Sequence, residues 1–591
     1  MTYDLIVNEL MKDEKAVVCY MTDGSRGRGV GSFSVQGFMI NNKWRPLTQL
    51  KVTRETRENC AALQTTVVSI LAQASGVSEK SIHERITFKV TDAVSHNFNV
   101  DEIVALDMGS EYIPPHLLCH VHPVLMFSRK MMDVIESIES KMGPEKIYSA
   151  LLVNATTHHG SVHEQYIDCF MKFISVDYNH KPWNKSAHFN KHIYPKKNHA
   201  KSFRTERFNR YVFCCLASIH HSNDLEEYLR KYDTIVNTLA CIIRAFESCT
   251  FFKIFSAAVA LMGIHLIQPY LKITYYDALN YAELIPTMRK LYENLITIPA
   301  EQLTDISRPA LSFVDEVQFK ECLWHEEMLL SLQECVTAHR DDVIGVVQLM
   351  LNACAEGFQL QRGNIFGFGD YDKNSPDLIT NHDIEKLLKA PINTIAAEQT
   401  VGASNYERKL RGPHQLAKAS ASIVKAKSWD LVELTPANEF RKYASKTQAV
   451  NKVIVAFAEL QDQEEKKSMD KKENETIAGD RRKHKDLEKL ICSIPRGPFT
   501  RPEQVDNFLV LGLSEKDLVD RLYTEVRYSR DTCLSLPKSS SLFRLMSKWK
   551  KLSSRVYAEN LKTYLGRVCA RSEATYEDFR TALQSALEAN D

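Results

Sequence analysis

No sign of charge prevails in this chain of 591 residues, in which 75 Lys and Arg stand against 74 Asp and Glu. Overall charge therefore selects no partner, and only local charge can. A disulfide framework is also lacking. Fourteen cysteines are scattered without regular spacing, which fits reduced thiols in a cytosolic or nuclear compartment. Met1–Lys15 carries several acids and no apolar core of the kind that marks a signal peptide. No fixed-period repeat is visible. The most apolar run, Ile254 to Gln268, includes His265 and is too short to span a bilayer. It reads as a buried helix, and no membrane partner is expected. Hydrophobic residues at 44% and charged residues at 25% are ordinary globular usage. The length allows three or four domains, or fewer with large insertions.

The stretch "VVCYMTDGSRGRGVGSFSVQGFMI" (Val17 to Ile40) opens the pattern that is present. Val17–Met21 is a short apolar run, as expected of a strand buried on both faces. It runs into Asp23 and a turn rich in glycine and arginine. Ser32–Ile40 alternates, with Phe33, Val35, Gly37 and Met39 on one face. Trp44–Val52 reads as a third strand, and Pro46 places it at an edge or a bulge. Asn59–Ala74 has Leu63, Val67, Ile70 and Leu71 at helical spacing. Ile86–Val90 alternates again and leads to Asp92. Three strands in a meander, a helical crossover and a fourth strand parallel to the first would follow. Asp23 and Asp92, 69 residues apart, would then sit at the same end of neighbouring strands.

From about Pro123 to Lys389 the chain reads as helical. Gln461–Lys489 is almost entirely charged or polar, a solvated helix or a linker. Val505–Asp591 reads as a small helical tail.

Two aspartates on adjacent strand ends can hold Mg²⁺ through hard oxygen ligands. Two such ions about 4 Å apart clamp the attacking and leaving oxygens of a phosphoryl displacement, and a third carboxylate normally completes the charge balance. Taken singly, Asp23 also suits a turn cap and Asp92 a helix N-cap. The pair at one sheet end points to metal chemistry.

These segments resemble the RNase H-like fold of DDE transposases, and most closely the hobo–Activator (hAT) superfamily. "YMTDGS" (Tyr20–Ser25) is similar to the first-strand aspartate motif. "KVTDAVSHN" (Lys89–Asn97) is similar to the motif of the second aspartate. "LCHVHPVLMF" (Leu118–Phe127) carries Cys119-x-x-His122, like the family's structural C-x-x-H block. The resemblance implies a large helical insertion and then a third acid. "APINTIAAEQTVGASNYERKLRG" (Ala390–Gly412) is similar to that final block, with Glu398 as the acid and Glu407 as the fallback. The family's usual Glu-Arg is Glu398-Gln399 here, and its N-terminal BED-type zinc finger has no counterpart.

The expected architecture is an α/β RNase H-like core with a mixed five-stranded sheet in β-β-β-α-β order. Residues 1–125 form its first part. Residues 126–389 form a mostly α-helical insertion, and 390–460 return to the core with the third acid. A charged linker at 461–490 and an α-helical C-terminal region at 491–591 follow. The resemblance implies a nuclear, metal-dependent transposase. Asp23, Asp92 and Glu398 would bind two Mg²⁺ or Mn²⁺ for DNA cleavage and strand transfer (DNA recombination), and homo-oligomers would form. The alternative is a domesticated, transposase-derived scaffold that binds DNA or protein without catalysis. A nuclease of RNA–DNA hybrids fits less well, because such enzymes are compact and carry no long helical insertion.

Local charge supplies a candidate DNA contact. Lys181–Arg210 holds nine Lys or Arg, three His and one acid, interleaved with Trp183, Phe189, Tyr194, Phe203 and Phe208. Cations neutralise phosphates and aromatic faces stack on unpaired bases. Trp183, Lys185, Lys196, Lys197, Lys201, Arg204 and Arg207 are the candidate contacts there, and Arg26 and Arg28 beside Asp23 are further ones. The competing readings are a basic surface loop with core-anchoring aromatics and a plain hairpin turn. Cys119 and His122 could also ligate zinc with His159 and His163. A structural role for the Cys and His pair is preferred.

Overall fold

The computed structural model of the chain describes residues 2–27, 31–41, 43–52, 56–91, 100–143, 161–178, 184–200, 210–231, 243, 249–276, 279–322, 325–366, 386, 389–394, 396–397, 399, 499, 502–532, 542, 552–569 and 573–590. They fall into two compact units. One gathers Met1–His122, Leu271–Pro286 and Asp372–Asp480. The other gathers Pro123–Tyr270, Thr287–Tyr371 and Arg481–Asp591. The described chain is mostly helical with one mixed five-stranded sheet, compatible with an α/β fold.

In the first unit, β1 (Val18–Gly27), β2 (Gly31–Ile40) and β3 (Lys43–Val52) form an antiparallel meander. Two helices follow, α2 (Arg57–Ser75) and α3 (Glu79–Glu84), where the sequence pattern suggested one. β4 (Phe88–Thr91) then pairs parallel to β1. After α4 (Val100–Asp107), β5 (His116–Leu118) pairs parallel to β4. The sheet order is β3-β2-β1-β4-β5. Thr56 caps α2 by accepting from the Asn59 backbone, and Gly76 closes it in the left-handed region at φ 76°.

Helix α1 (Thr2–Lys12) precedes the sheet and has no strong sequence signature. Its acids are real, but Ile6, Val7 and Leu10 lie on the helix at i, i+1, i+4 and are fully buried. They join Val18, Tyr20, Phe38, Val67, Val68, Leu71 and Val104 in one core. Each such side chain contributes roughly 1.5–3 kcal/mol through its removal from water. Arg45, only 2% exposed, grips Glu9 through two hydrogen bonds of 2.8 and 3.0 Å. The fork-to-carboxylate geometry ties α1 to the edge strand.

Pro46 sits where a missing N–H does least harm. β3 is a sheet edge. The β2–β3 register also slips beside the proline, pairing Gln36 with Thr48 and Gly37 with Pro46. Gly37 permits this close approach. A Cβ there would lie 2.6 Å from the Arg45 carbonyl oxygen, 2.6 Å from Trp44 Cη2 and 2.9 Å from Pro46 Cα. Two of these are backbone atoms and cannot swing aside. Gly37→Ala is therefore expected to cost about 2–3 kcal/mol, the upper range for overpacking. Urea unfolding measures this as a lower midpoint with an unchanged slope.

The second unit contains α5 (Pro123–Met142), α6 (Val162–Ile174), α7 (Ser186–Ile193), α8 (Arg210–Lys231), α9 (Thr250–Met262), α10 (Glu326–Ala338), α11 (Arg340–Phe366) and C-terminal helices that include α12 (Tyr576–Glu588). α9 is buried along its length except at Thr250 and Lys253, and α8, α11 and α12 pack on it. Past Met262 the helix continues through two π-helical turns, so the apolar run is longer than the sequence suggested. Among the described residues, two helices, Thr250–Tyr275 and Arg340–Gln361, are long and apolar enough to cross a membrane, and 89% of the apolar window in the first is buried inside the structure.

Candidate active site at the sheet end

Adjacent parallel strands set the geometry. Cys19 pairs with Phe88, Tyr20 with Lys89 and Met21 with Val90, a constant offset of 69 residues. Asp23 and Asp92 differ by the same 69 positions. Asp23 lies inside β1, paired across to Val35, and the β1–β2 ladder runs on to Gly27 and Gly31. The turn therefore comes later than the glycines and arginines suggested, and a turn-cap role for Asp23 does not apply. Arg26, expected in the turn, is in the strand opposite Ser32. Asp92 follows Thr91, the last residue of β4, and itself lies outside the described residues.

β4 is buried along its whole length and includes a charge. Lys89 is 2% exposed, and its Nζ lies 3.0 Å from Asp101 Oδ1 at the start of α4. Burial pushes the Asp101 carboxyl up and the Lys89 ammonium down, and the attraction between the two charges opposes both shifts. On the neighbouring strand, Tyr20 hydrogen-bonds to Gln36, and burial followed by the Asp101 charge raises its phenol well above the ordinary value. His116 Nε2 contacts Thr91 Oγ1 at 2.6 Å. Burial, helped by the Lys89 charge, lowers that imidazole to about 3. A neutral ring, a buried ion pair and a rigid strand thus surround the end of β4.

The block proposed to carry the third acid returns to this edge. His120 donates its backbone N–H to the Ile392 carbonyl at 2.9 Å, and Thr394 N–H points to Cys119 Sγ at 3.4 Å. Asn393 Nδ2 donates to the Thr274 carbonyl at 2.8 Å. Ile392, Thr394 and Ala397 are buried. A segment 275 residues downstream of Cys119 is therefore docked directly after β5. Cys119 acts here as a packed thiol that receives a backbone donor. Glu398 and Glu407 lie outside the described residues.

His163 does not join a cysteine–histidine zinc site. It is fully buried in the second unit, with Nδ1 2.7 Å from the Tyr211 hydroxyl and Nε2 2.8 Å from Ser256 Oγ. Both ring nitrogens are occupied, and His159 lies outside the described residues. Glu139 accepts the backbone N–H groups of Val162 and His163 at the start of α6. Burial depresses the His163 imidazole from 6.5 to about 3. The unfolded chain thus binds a proton that the folded one refuses between those values. The stability this ring contributes is complete above about pH 6.5 and is lost as pH falls toward 3, by up to about 1.4 kcal/mol per pH unit. His163→Gln is expected to flatten the acid side of the stability profile between pH 4 and 6.5, as read from urea midpoints.

The basic segment divides. Phe189 is fully buried against Tyr228 and His221, so this aromatic is a core anchor. Tyr194 is 82% exposed. Lys197 is exposed and Lys185 half-buried at the start of α7. Lys196 is exposed too, but its Nζ pairs with Asp224 at 2.7 Å, which weakens its claim as a phosphate contact. Arg28, Trp183, Lys201, Arg204 and Arg207 lie outside the described residues.

The sequence reading missed one cluster of ligand-type side chains, His199, His220 and Glu327. His199 belongs to the basic segment and His220 to a His-His pair, but no short spacing motif links them to a glutamate 128 residues away. The chain matches no protein-family model and no curated protein.

Proposed function

We propose that the chain is a metal-dependent, transposase-like DNA-cleaving and strand-transferring enzyme of the hAT kind, built on an RNase H-like core. The observation that carries this reading is the β1–β4 register. Continued by two residues, it would set Asp92 beside Asp23, with neighbouring strands about 4.8 Å apart. The return of residues 392–394 to the edge of β5 supports the same reading, because it brings the chain just ahead of Glu398 back to the sheet.

The three carboxylates are hard oxygen donors, the set that suits Mg²⁺ or Mn²⁺. When bound, a pair of such ions activates the attacking hydroxyl and stabilises the leaving oxygen. In this reading Asp23 and Asp92 would hold the charge at one end of the sheet, and Glu398 would supply the third negative charge. Lys185, Lys197 and the cations flanking them in sequence contribute electrostatic attraction for DNA. Nuclear location and self-association belong to the same proposal.

The test is nicking of supercoiled duplex DNA in Mn²⁺, compared with hydrolysis of an RNA–DNA hybrid. Metal-dependent nicking of the duplex with little action on the hybrid is expected. DNA binding without nicking would instead support a non-catalytic scaffold.

A further inference from the structure

We propose that His199, His220 and Glu327 form a second metal site, specific for a borderline transition-metal dication, with Zn²⁺ the first choice. Their ligand atoms lie within 4.8 Å of one another. Two imidazoles and one carboxylate are a zinc donor set, and nitrogen donors disfavour Mg²⁺ and Ca²⁺. The site is independent of the sheet-end carboxylates, because all three residues belong to the second unit.

The hydrogen bonds leave a lone pair exposed to a metal. Ser331 Oγ lies 3.1 Å from the Glu327 carbonyl oxygen and 2.9 Å from His220 Nδ1. With the hydroxyl donating to the carbonyl, His220 Nδ1 donates to Ser331 and Nε2 keeps its lone pair. The ring is 6% exposed and Nε2 is buried without a hydrogen-bond partner. Buried polar atoms are rarely left in this state, and an imidazole lone pair so placed is suited to a metal ligand. His199 Nε2 meets Glu327 Oε1 directly.

The supporting contacts resemble those that orient metal ligands. His221 Nε2 accepts the backbone N–H of His199 at 3.0 Å, which puts the His221 proton on Nδ1, 3.3 Å from Asp224 Oδ2. Asp224 is held in turn by Lys196. Asn198 bonds to the Ile174 carbonyl at 2.9 Å and to Asn190 at 2.6 Å, which fixes the segment carrying His199. Three protein ligands leave a coordination position open. The Glu327 side chain is 48% exposed, so water can reach it. A bound ion would staple residues 199, 220 and 327, which come from separate segments.

The test uses the full-length chain carrying Asp23→Asn and Asp92→Asn, so that the sheet end contributes no carboxylate pair. After chelator treatment it is titrated with Co²⁺ and then with Zn²⁺. One equivalent of Co²⁺ should give visible d–d absorption that Zn²⁺ abolishes. Glu327→Gln, at an exposed position that tolerates change, should weaken Co²⁺ binding by about tenfold or more and remove the Zn²⁺-induced rise in melting temperature. His220→Asn should do the same where it folds. Absence of visible bands at one equivalent would overturn the proposal. So would bands of equal affinity in Glu327→Gln and a His199→Gln variant, which would assign the metal to thiols.

Discussion

Asp92→Asn is expected to reduce Mn²⁺-dependent DNA nicking by roughly 10³-fold or more, a loss of about 4 kcal/mol of transition-state stabilisation. The change keeps the side-chain shape and removes one negative charge. Two dications held by the remaining carboxylates would be undercompensated, and the attacking and leaving oxygens would lose their clamp. Asp23→Asn should have an effect of the same order, because the proposed site uses both residues. The double variant should then be little worse than either single one, as for groups that act as a unit. Asp133→Asn, at an exposed position on α5, should leave nicking unchanged. Unfolding midpoints should hold in the Asp92 variant, so that lost activity reads as lost chemistry. Unaltered nicking in Asp92→Asn would end the catalytic account.

The largest expected effect on stability comes from Lys89→Met. Lys89 and Asp101 are both nearly inaccessible, and each charge is tolerated because the other stands 3.0 Å away. Removing the ammonium leaves a buried carboxylate without its compensating charge, a change that typically costs about 3–5 kcal/mol. Lys89→Met combined with Asp101→Leu should recover most of that loss, because an apolar pair needs no compensation. A double-mutant cycle in urea, with the coupling energy as readout, decides between this and simple additivity. The pair also joins β4 to the start of α4. The Lys89 variant should therefore lower DNA nicking by more than its unfolded fraction explains.

The strands of the meander were legible because their side chains obey a period of two and the sheet buries one face heavily. The alternation did not pick out the core face of β2, however: Val35 on one face and Phe38 and Ile40 on the other are all buried, and it is Phe38 and Ile40 that join the core with Val18 and Tyr20. The parallel return of β4 followed from the helical segment placed before it. Other features were hidden for identifiable reasons. The extent of β1 was underestimated because glycine and arginine read locally as a turn, whereas the ladder to β2 carries the strand to Gly27. Helix α1 has only a short apolar stripe, and its worth comes from the core it covers. The apolar helix beginning at Thr250 was read as short because polar residues such as His265 and Gln268 interrupt it. His265 is accommodated by the Leu303 carbonyl, 2.9 Å from its Nε2. The imidazole cluster could not be found from spacing, because tertiary packing alone brings residues 199, 220 and 327 together. The docking of Ile392–Thr394 against Cys119 and His120 is set by tertiary packing, since no local pattern links segments so far apart.

The account rests on Asp23 and Asp92 sharing divalent cations. Anomalous scattering from crystals soaked in Mn²⁺ tests this most directly. A peak within about 2.1 Å of carboxylate oxygens from both residues, with Glu398 as a further ligand, is predicted. Carboxylates pointing to separate places, with no manganese between them, would contradict it.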